Sequence, residues 1–318
     1  MRPDPFGPIL ADTGTIVLDG GLATQLEAQG NDLSDRLWSA RLLVERPEEI
    51  IAAHLAFYRA GATVATTASY QATFEGFAAR GIGHDEAARL MRRSVELAME
   101  ARSSYRAERA AAGSGEAPAL LVAASIGPYG AMLADGSEYR GRYGRSVDEL
   151  RDFHRERMSV LAASGADVLA CETIPELEEA QALVGLLDET PGAVAWLSFS
   201  CADGGHIRSG VPVEEALAVA ISSDRVVAVG FNCTAPEHVD ELLDRARTVT
   251  DRPLVVYPNS GEGWDAGSRT WTASADPAAR VDGGAARRWI SAGAALVGGC
   301  CRVTPDQIEL IAREVASA

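Results

Sequence analysis

The sequence predicts a (β/α)8 barrel of the TIM type. Three observations carry that expectation. Eight short apolar runs recur along the chain, each the length of a strand buried on both faces. Seven of them lead into an amphipathic helical pattern, and a further short helix precedes the last run. The whole fits 318 residues with no linker-like division, so one domain is expected over 1–318.

The elements follow in order. The first run, "GTIVLDGG", ends in Asp19-Gly20-Gly21 and opens a long loop over 20–45. Pro47 sits just inside the first helix, 47–60, where a missing N–H costs nothing, and Gly61 fits the position past its end. "GATVATTASY" precedes a helix over 84–110, and the Gly- and Ala-rich 109–119 reads as a surface loop. "APALLVAASIG" leads through a long loop, 126–145, to a helix over 146–164, where Ser146 and Glu149 fit a capping box and Gly165 a C-terminal stop. "GADVLACET" ends strand 4 at Glu172. Thr173 and Glu176 fit a capping box for the helix over 175–187.

"GAVAWLSFS" precedes a helix over 212–222, and "RVVAVGFNC" ends strand 6 at Asn232-Cys233. Thr234 and Glu237, with Pro236 between them, mark the start of the helix over 235–247. "RPLVVYPNSG" gives strand 7, followed by a long loop over 259–276 and a short helix near 277–292 closed by Gly293. "GAALVGGCC" is strand 8. Thr304, Pro305 and Gln307 start the last helix, 305–316. The competing architecture, an open doubly wound sheet, would want a GxGxxG turn after strand 1 in its dinucleotide-binding version, and the sequence has none there.

The net charge of −16 argues against a nucleic-acid partner, which wants a basic face, and mildly favours a cationic small molecule, although it reads most simply as the charge of a soluble protein. No run of about 18 apolar residues marks a membrane span. The N-terminus "MRPDPFGPILADTG" lacks the apolar stretch of a signal peptide, so a cytoplasmic protein is expected, and five cysteines there argue against structural disulfides.

Barrel active sites lie at the C-terminal ends of the strands. There this sequence places Asp19, Glu172, Asn232, Cys233, Cys300 and Cys301. Three thiols at one mouth suit zinc, which accepts thiolates tetrahedrally and, in a catalytic site, keeps a fourth position for substrate. Spacing alone leaves this level with three buried thiols acting as small hydrophobes. Cys171 neighbours Glu172 in strand 4 and should face the helices as a packed thiol. Cys201 reads less readily as a fourth ligand than as a substrate-pocket or packing residue. Asp19 and Glu172 read as readily as turn and cap residues. His206 reads as a solvent-facing residue of a polar loop. Trp38, Tyr70, Tyr129, Trp264 and Trp271 lie in mouth loops, where aromatics either enclose a cation or simply cover the opening.

"LVGGCCRVTPDQI", with the upstream "VGFNCTAPEHV", resembles the homocysteine S-methyltransferase family. "VLDGGLATQLEAQGNDLSDRLWSARLL", "TTASYQATFEGF", "ACETIPELEEA", "SFSCADGGHIRSG" and "VYPNSGEGWDA" resemble that family's further blocks in the same order. The likeness is strongest to the branch that takes its methyl group from S-methylmethionine rather than betaine.

The resemblance implies a catalytic zinc held by Cys233, Cys300 and Cys301, with homocysteine as acceptor and methionine as product. It implies that Asp19 and Glu172 bind the homocysteine amine, that backbone at Gly20 and Gly21 lies near its carboxylate, and that Asn232, next to the metal ligand Cys233, also binds the substrate. The chemistry is coherent with that implication. A zinc centre rich in thiolates leaves a bound sulfur nucleophilic, and a sulfonium donor carries an activated methyl group. The alternatives are a methyltransferase using betaine or acting on another thiol or selenol, and a barrel with a structural zinc site and a hydrolytic activity.

Overall fold

The computed structural model describes residues 4–33, 38–115, 118–265, 270–274 and 280–317. The barrel strands are β1 (Ile16–Val17), β2 (Val64–Thr66), β3 (Leu121–Ile126), β4 (Val168–Ile174), β5 (Ala195–Phe199), β6 (Val226–Asn232), β7 (Leu254–Tyr257) and β8 (Ala294–Val297). They form one parallel sheet in the order β1-β8-β7-β6-β5-β4-β3-β2. A parallel bridge from Leu18 to Val64 joins the two edges, so the sheet closes on itself. The outer helices are α1 (Pro47–Arg59), α2 (His84–Ala111), α3 (Val147–Ala162), α4 (Leu177–Glu189), α5 (Val213–Ala220), α6 (Val239–Arg247), α7 (Gly283–Ser291) and α8 (Pro305–Ser317). All eight apolar runs are strands, and each helical pattern is a helix. Positions 275–279, at the expected start of α7, lie outside the described residues.

Strand side chains alternate between two cores, as the pleat requires. Val122, Ala124, Leu169, Cys171, Leu197 and Val229 point outward under the helices. Leu18, Ala123, Ala170, Trp196, Ala228 and Val255 fill the barrel. Cys171 therefore faces the helices, as expected. A short helix, Gly7–Thr13, precedes β1, and the Phe6 ring that starts it lies 6.1 Å from Trp196 inside the barrel. The sequence gives no warning of this plug, because seven residues containing Gly7 and Pro8 carry no helical periodicity.

The helix starts need two corrections. Ser146 makes both halves of its capping box. Thr173 does not cap α4: β4 continues to Ile174, Thr173 sits at φ +61°, and Glu176 occupies the cap position. Thr234 does not cap either. Its hydroxyl accepts from the Cys201 N–H and donates to the Asn232 carbonyl, and a 3-10 turn, Pro236–His238, intervenes before α6. Both threonines are buried at strand ends, where neighbouring strand and loop groups claim the side chain before a helix start can. At α8 the Gln307 Oε1 accepts from the Thr304 N–H. Gly61, Gly165 and Gly293 follow helix ends at φ +100°, +95° and +99°.

All three long loops lie at the C-terminal end of the barrel and carry structure. The loop after β1 holds helices Leu22–Ala28 and Trp38–Glu45, and the loop after β3 holds helix Tyr129–Leu133 and the 3-10 turn Ser137–Tyr139. The loop after β7 holds the antiparallel strands Glu262–Asp265 and Thr270–Ser274. No helix among the described residues is long and apolar enough to cross a membrane.

Candidate active site

The inward row of side chains changes character at the C-terminal ends of the strands. Below it the row is apolar; at the mouth it becomes Thr66, Ser125, Glu172, Ser198, Asn232 and Tyr257, all within hydrogen-bonding reach of another member or of Asp19. Asp19, just past β1, accepts from the Thr66 N–H at 2.6 Å and the Thr66 hydroxyl at 2.9 Å. Glu172 accepts from the Ser125 hydroxyl through one oxygen and from the Tyr257 hydroxyl, at 3.0 Å, through the other. Trp196 Nε1 holds the same Tyr257 oxygen at 2.9 Å.

Burial pushes the Asp19 carboxyl up to about 8 and Glu172 up to about 7. Hydrogen bonds from Thr66, Ser125 and Tyr257 favour the charged forms and work against that shift, whereas the Glu172 charge raises Asp19 further. Two buried carboxyls lining one cavity are chemically suited to a cation, which would offset the cost of ionising them there.

The cysteines converge where β6 and β8 end. Cys233 and Cys300 are joined as a disulfide with their Cα atoms 5.7 Å apart. The Cys301 Sγ stands 3.8 Å from that of Cys233 and 4.0 Å from that of Cys300. A tetrahedral zinc with Zn–S bonds of about 2.3 Å spaces its sulfurs by about 3.8 Å, so this cluster has the dimensions of a thiolate triad once reduced. Burial pushes the Cys301 thiol up to about 11, so a cation is the natural means of holding it as thiolate. A disulfide takes two of the three thiolates, so the bonded pair and a metal exclude one another. Cys201 lies outside this cluster, buried in the outer core and bridged to Ile207. It packs there and is no fourth ligand.

The paired glycines explain how the corner closes. A Cβ on Gly20 would lie 2.6 Å from the Val303 carbonyl oxygen, and one on Gly299 would lie 2.2 Å from a Val303 methyl carbon. Only bare backbone lets the Asp19-Gly20-Gly21 turn lie against the Gly298–Cys301 turn. The Gly21 N–H donates to Val303 O and the Gly299 N–H to Asp19 O, which ties carboxylate and cysteines to one hydrogen-bonded unit. Cys233 and Arg302 hold left-handed backbone at φ +46° and +63°, uncommon for residues with side chains and concentrated at functional sites.

These groups surround a cavity of about 650 Å³. Asp19, Gly20, Gly21, Glu172 and all three cysteines line it. Asn232 is not among the lining residues. Its amide oxygen accepts from the Thr173 N–H and the Ser198 hydroxyl, and its amide nitrogen donates to the Thr173 hydroxyl, so it fixes the end of β4. The loop side of the cavity is formed by Tyr70, Glu138 and Tyr139. Tyr139 lines the same cavity as Cys301 and carries the Arg208 guanidinium 5.6 Å from its ring centre. Tyr70 is set by Arg157, a buried α3 residue that donates to the backbone oxygens of Ser69, Tyr70 and Gly127. His206 is exposed beside Asp203, as expected of its loop, and Tyr129 packs against Tyr143 and Phe153. The side chains of Trp38, Trp264 and Trp271 lie outside the described residues.

Residues 16–315 match the model of the homocysteine S-methyltransferase family. The chain belongs to that family. It is 49% identical to the homocysteine S-methyltransferase YbgG of Bacillus subtilis, over 97% of each chain. The homocysteine methyltransferase MmuM of Escherichia coli, in its metallated form, superposes with a TM-score of 0.87 at 45% identity, covering 98% of this chain and 99% of that one. The same protein in an oxidised form superposes at 0.86. The selenocysteine Se-methyltransferase of Brassica oleracea is 44% identical over 97% of this chain and 91% of its own. The chain is thus a transferase acting on small molecules, as members of the homocysteine S-methyltransferase family are.

Sequence reasoning missed Ser125, Ser198 and Tyr257, although each shares the inward parity of its strand, and it missed Glu138 and Tyr139. A polar residue at the last inward position of an apolar run was the available signal for the first three.

Proposed function

We propose that the enzyme transfers a methyl group from S-methylmethionine, or from S-adenosylmethionine, to the sulfur of homocysteine, using zinc held by Cys233, Cys300 and Cys301 in their reduced state. The reading rests on one juxtaposition: three thiols and two buried carboxyls around a single cavity of about 650 Å³. A thiolate triad at barrel-strand ends matches a soft metal. Carboxyls beside it match the ammonium group of an amino acid whose sulfur reaches that metal. A cytoplasmic setting, in which thiols stay reduced, suits the same reading.

Zinc, when bound, supplies an anionic acceptor sulfur at neutral pH. The rest falls to the chain. Asp19 and Glu172 take the acceptor's ammonium, each carboxylate pre-oriented by the hydroxyls of Thr66, Ser125 and Tyr257. Gly20 and Gly21 give its carboxylate close access to backbone. Tyr70 and Tyr139 shield the reacting sulfurs from water and offer ring faces to a sulfonium. The methyl group passes in line: the new C–S bond forms on the acceptor as the old one breaks, and the bonding pair returns to the donor sulfur. Sulfonium and thiolate charges cancel, and with S-methylmethionine both products are methionine. Holding two sulfurs in line is the main catalytic contribution, and no general base is needed once the acceptor proton has gone.

A selenol acceptor is the second reading, favoured by the likeness to the Brassica enzyme. The test is methionine formation by reduced, zinc-loaded protein with S-methylmethionine, S-adenosylmethionine and betaine in parallel, and with homocysteine and selenocysteine as competing acceptors. The reading expects the sulfoniums to be used and betaine to be idle. Turnover with betaine alone, or none with any donor, overturns it.

A further inference from the structure

We propose that Glu138 pairs with the α-ammonium group of the methyl donor and so makes the enzyme selective for amino-acid sulfoniums; this rests on the donor reading above. Glu138 belongs to the 3-10 turn Ser137–Tyr139, and both Glu138 and Tyr139 line the cavity. The turn is held tightly. The Glu138 carbonyl accepts from the Ser200 hydroxyl at 3.3 Å, and a Cβ on Gly130 would lie 2.5 Å from the Glu138 nitrogen. Only glycine lets helix Tyr129–Leu133 press so close, and the contact fixes the backbone from which the Glu138 side chain departs.

Glu138 Oε2 is buried and has no hydrogen-bond partner among the described residues. Asp19 and Glu172 differ, because both oxygens of each accept a hydrogen bond. The neighbouring Arg140 directs its guanidinium to Asp135, at 3.6 Å, and to the Ser137 hydroxyl, at 3.0 Å. A carboxylate oxygen kept buried and unpaired is costly, so its retention in a substrate cavity calls for a ligand that brings the missing donor.

The chemistry says which part of the ligand that is. Asp19 and Glu172 serve the acceptor's ammonium. Of the donor's two cationic groups, the sulfonium loses its charge during transfer. A carboxylate beside it would stabilise the ground state more than the transition state and slow the reaction. The ammonium keeps its charge throughout, so pairing it anchors the donor without opposing the step. Glu138 is adjacent in sequence to Tyr139, and both line the same cavity as Cys301, so a donor anchored there extends toward the cysteine corner.

The experiment compares the wild type with Glu138→Gln, using S-methylmethionine and its des-amino analogue, the latter read as substrate or as competitive inhibitor. Expected is a rise of about 10–100-fold in KM for S-methylmethionine with kcat little changed. The des-amino analogue should lose nothing, and zinc content and homocysteine affinity should stay at wild-type values. An unchanged KM for S-methylmethionine, an equal loss for both donors, or the same loss in Glu27→Gln at the cavity rim overturns the assignment to Glu138. A wild type that uses betaine but neither sulfonium fails the donor reading itself, and this inference with it. With a wild type active on S-methylmethionine, the donor reading stands and the variant alone decides the role of Glu138.

Discussion

The strand-borne and loop-borne sides of the cavity are built on opposite principles. On the strand side, Asp19, Glu172 and the cysteines sit on barrel backbone, and both carboxyls are supplied with hydrogen bonds from Thr66, Ser125 and Tyr257 before any ligand arrives. On the loop side, Tyr70, Glu138 and Tyr139 come from connections after β2 and β3, held by Arg157 and by contact with Gly130. The contrast teaches a division of labour. In the proposed reaction, rigid strand ends suit the metal and the acceptor, whose positions set the nucleophile, and the donor falls to loops, which are the readier part of a barrel to remodel.

Four experiments probe the strand side separately from the loop side. The largest effect belongs to the cysteines. Cys300→Ala and Cys301→Ala should each lose most bound zinc and nearly all turnover while the far-ultraviolet dichroism stays that of the wild type. Elemental analysis and an assay of methionine settle it, and full metal occupancy in either variant would break the strand-side account. Next comes Glu172→Gln, which keeps shape and removes charge. Homocysteine affinity should fall by about 1.5–3 kcal/mol, roughly 10–150-fold, with zinc retained. Calorimetry with homocysteine reads it directly.

A smaller effect is a pH dependence. Burial holds Asp19 at about 8 and Glu172 at about 7 in the folded protein, above their unfolded values. Between those values the native state binds more protons than the unfolded one. Stability from this pair is therefore present below the unfolded pKa of about 4 and is lost as pH rises toward 7–8. The ligand-free protein should melt at progressively lower temperature through that window, and Asp19→Asn should flatten the slope. Affinity for 2-aminobutyrate, an acceptor analogue without a thiol, should run the other way and tighten as the carboxyls ionise. The smallest effect is expected from Cys171→Ala and Cys201→Ala. Both thiols are packed away from the cluster, so zinc stoichiometry should not change and stability should fall by only about 1 kcal/mol.

Much of the strand side was legible in the sequence, because strand periodicity is a short-range signal. Eight runs became eight strands, and the parity of "VLACET" turned Glu172 to the cavity and Cys171 to the helices. The cysteine corner was legible as a motif, and the glycines before Cys300 follow from the close approach of two turns. The loop side was not legible. A three-residue 3-10 turn has no periodicity, and what aims Glu138 is contact with Gly130 and a hydrogen bond from Ser200, more than 60 positions away in sequence. Thr173 and Thr234 misled for a related reason. A capping pattern is local, but the Thr173 hydroxyl is claimed by the Asn232 amide of β6 and the Thr234 hydroxyl by the Cys201 N–H and the Asn232 carbonyl. Asn232 shows the same limit, since its place next to Cys233 suggested a substrate contact, whereas its side chain turns to Thr173 and Ser198 and is not among the residues lining the cavity.

The central claim is that a metal on Cys233, Cys300 and Cys301 makes the acceptor sulfur reactive. The most direct measurement is a zinc titration of reduced, metal-free protein, following methionine formed from homocysteine and S-methylmethionine against zinc bound per chain. The account predicts activity rising in proportion to zinc and levelling at one ion per chain, with none recovered by protein first oxidised to the Cys233–Cys300 disulfide. Full turnover in the metal-free protein, or one zinc still bound per chain with all three cysteines replaced, would contradict it.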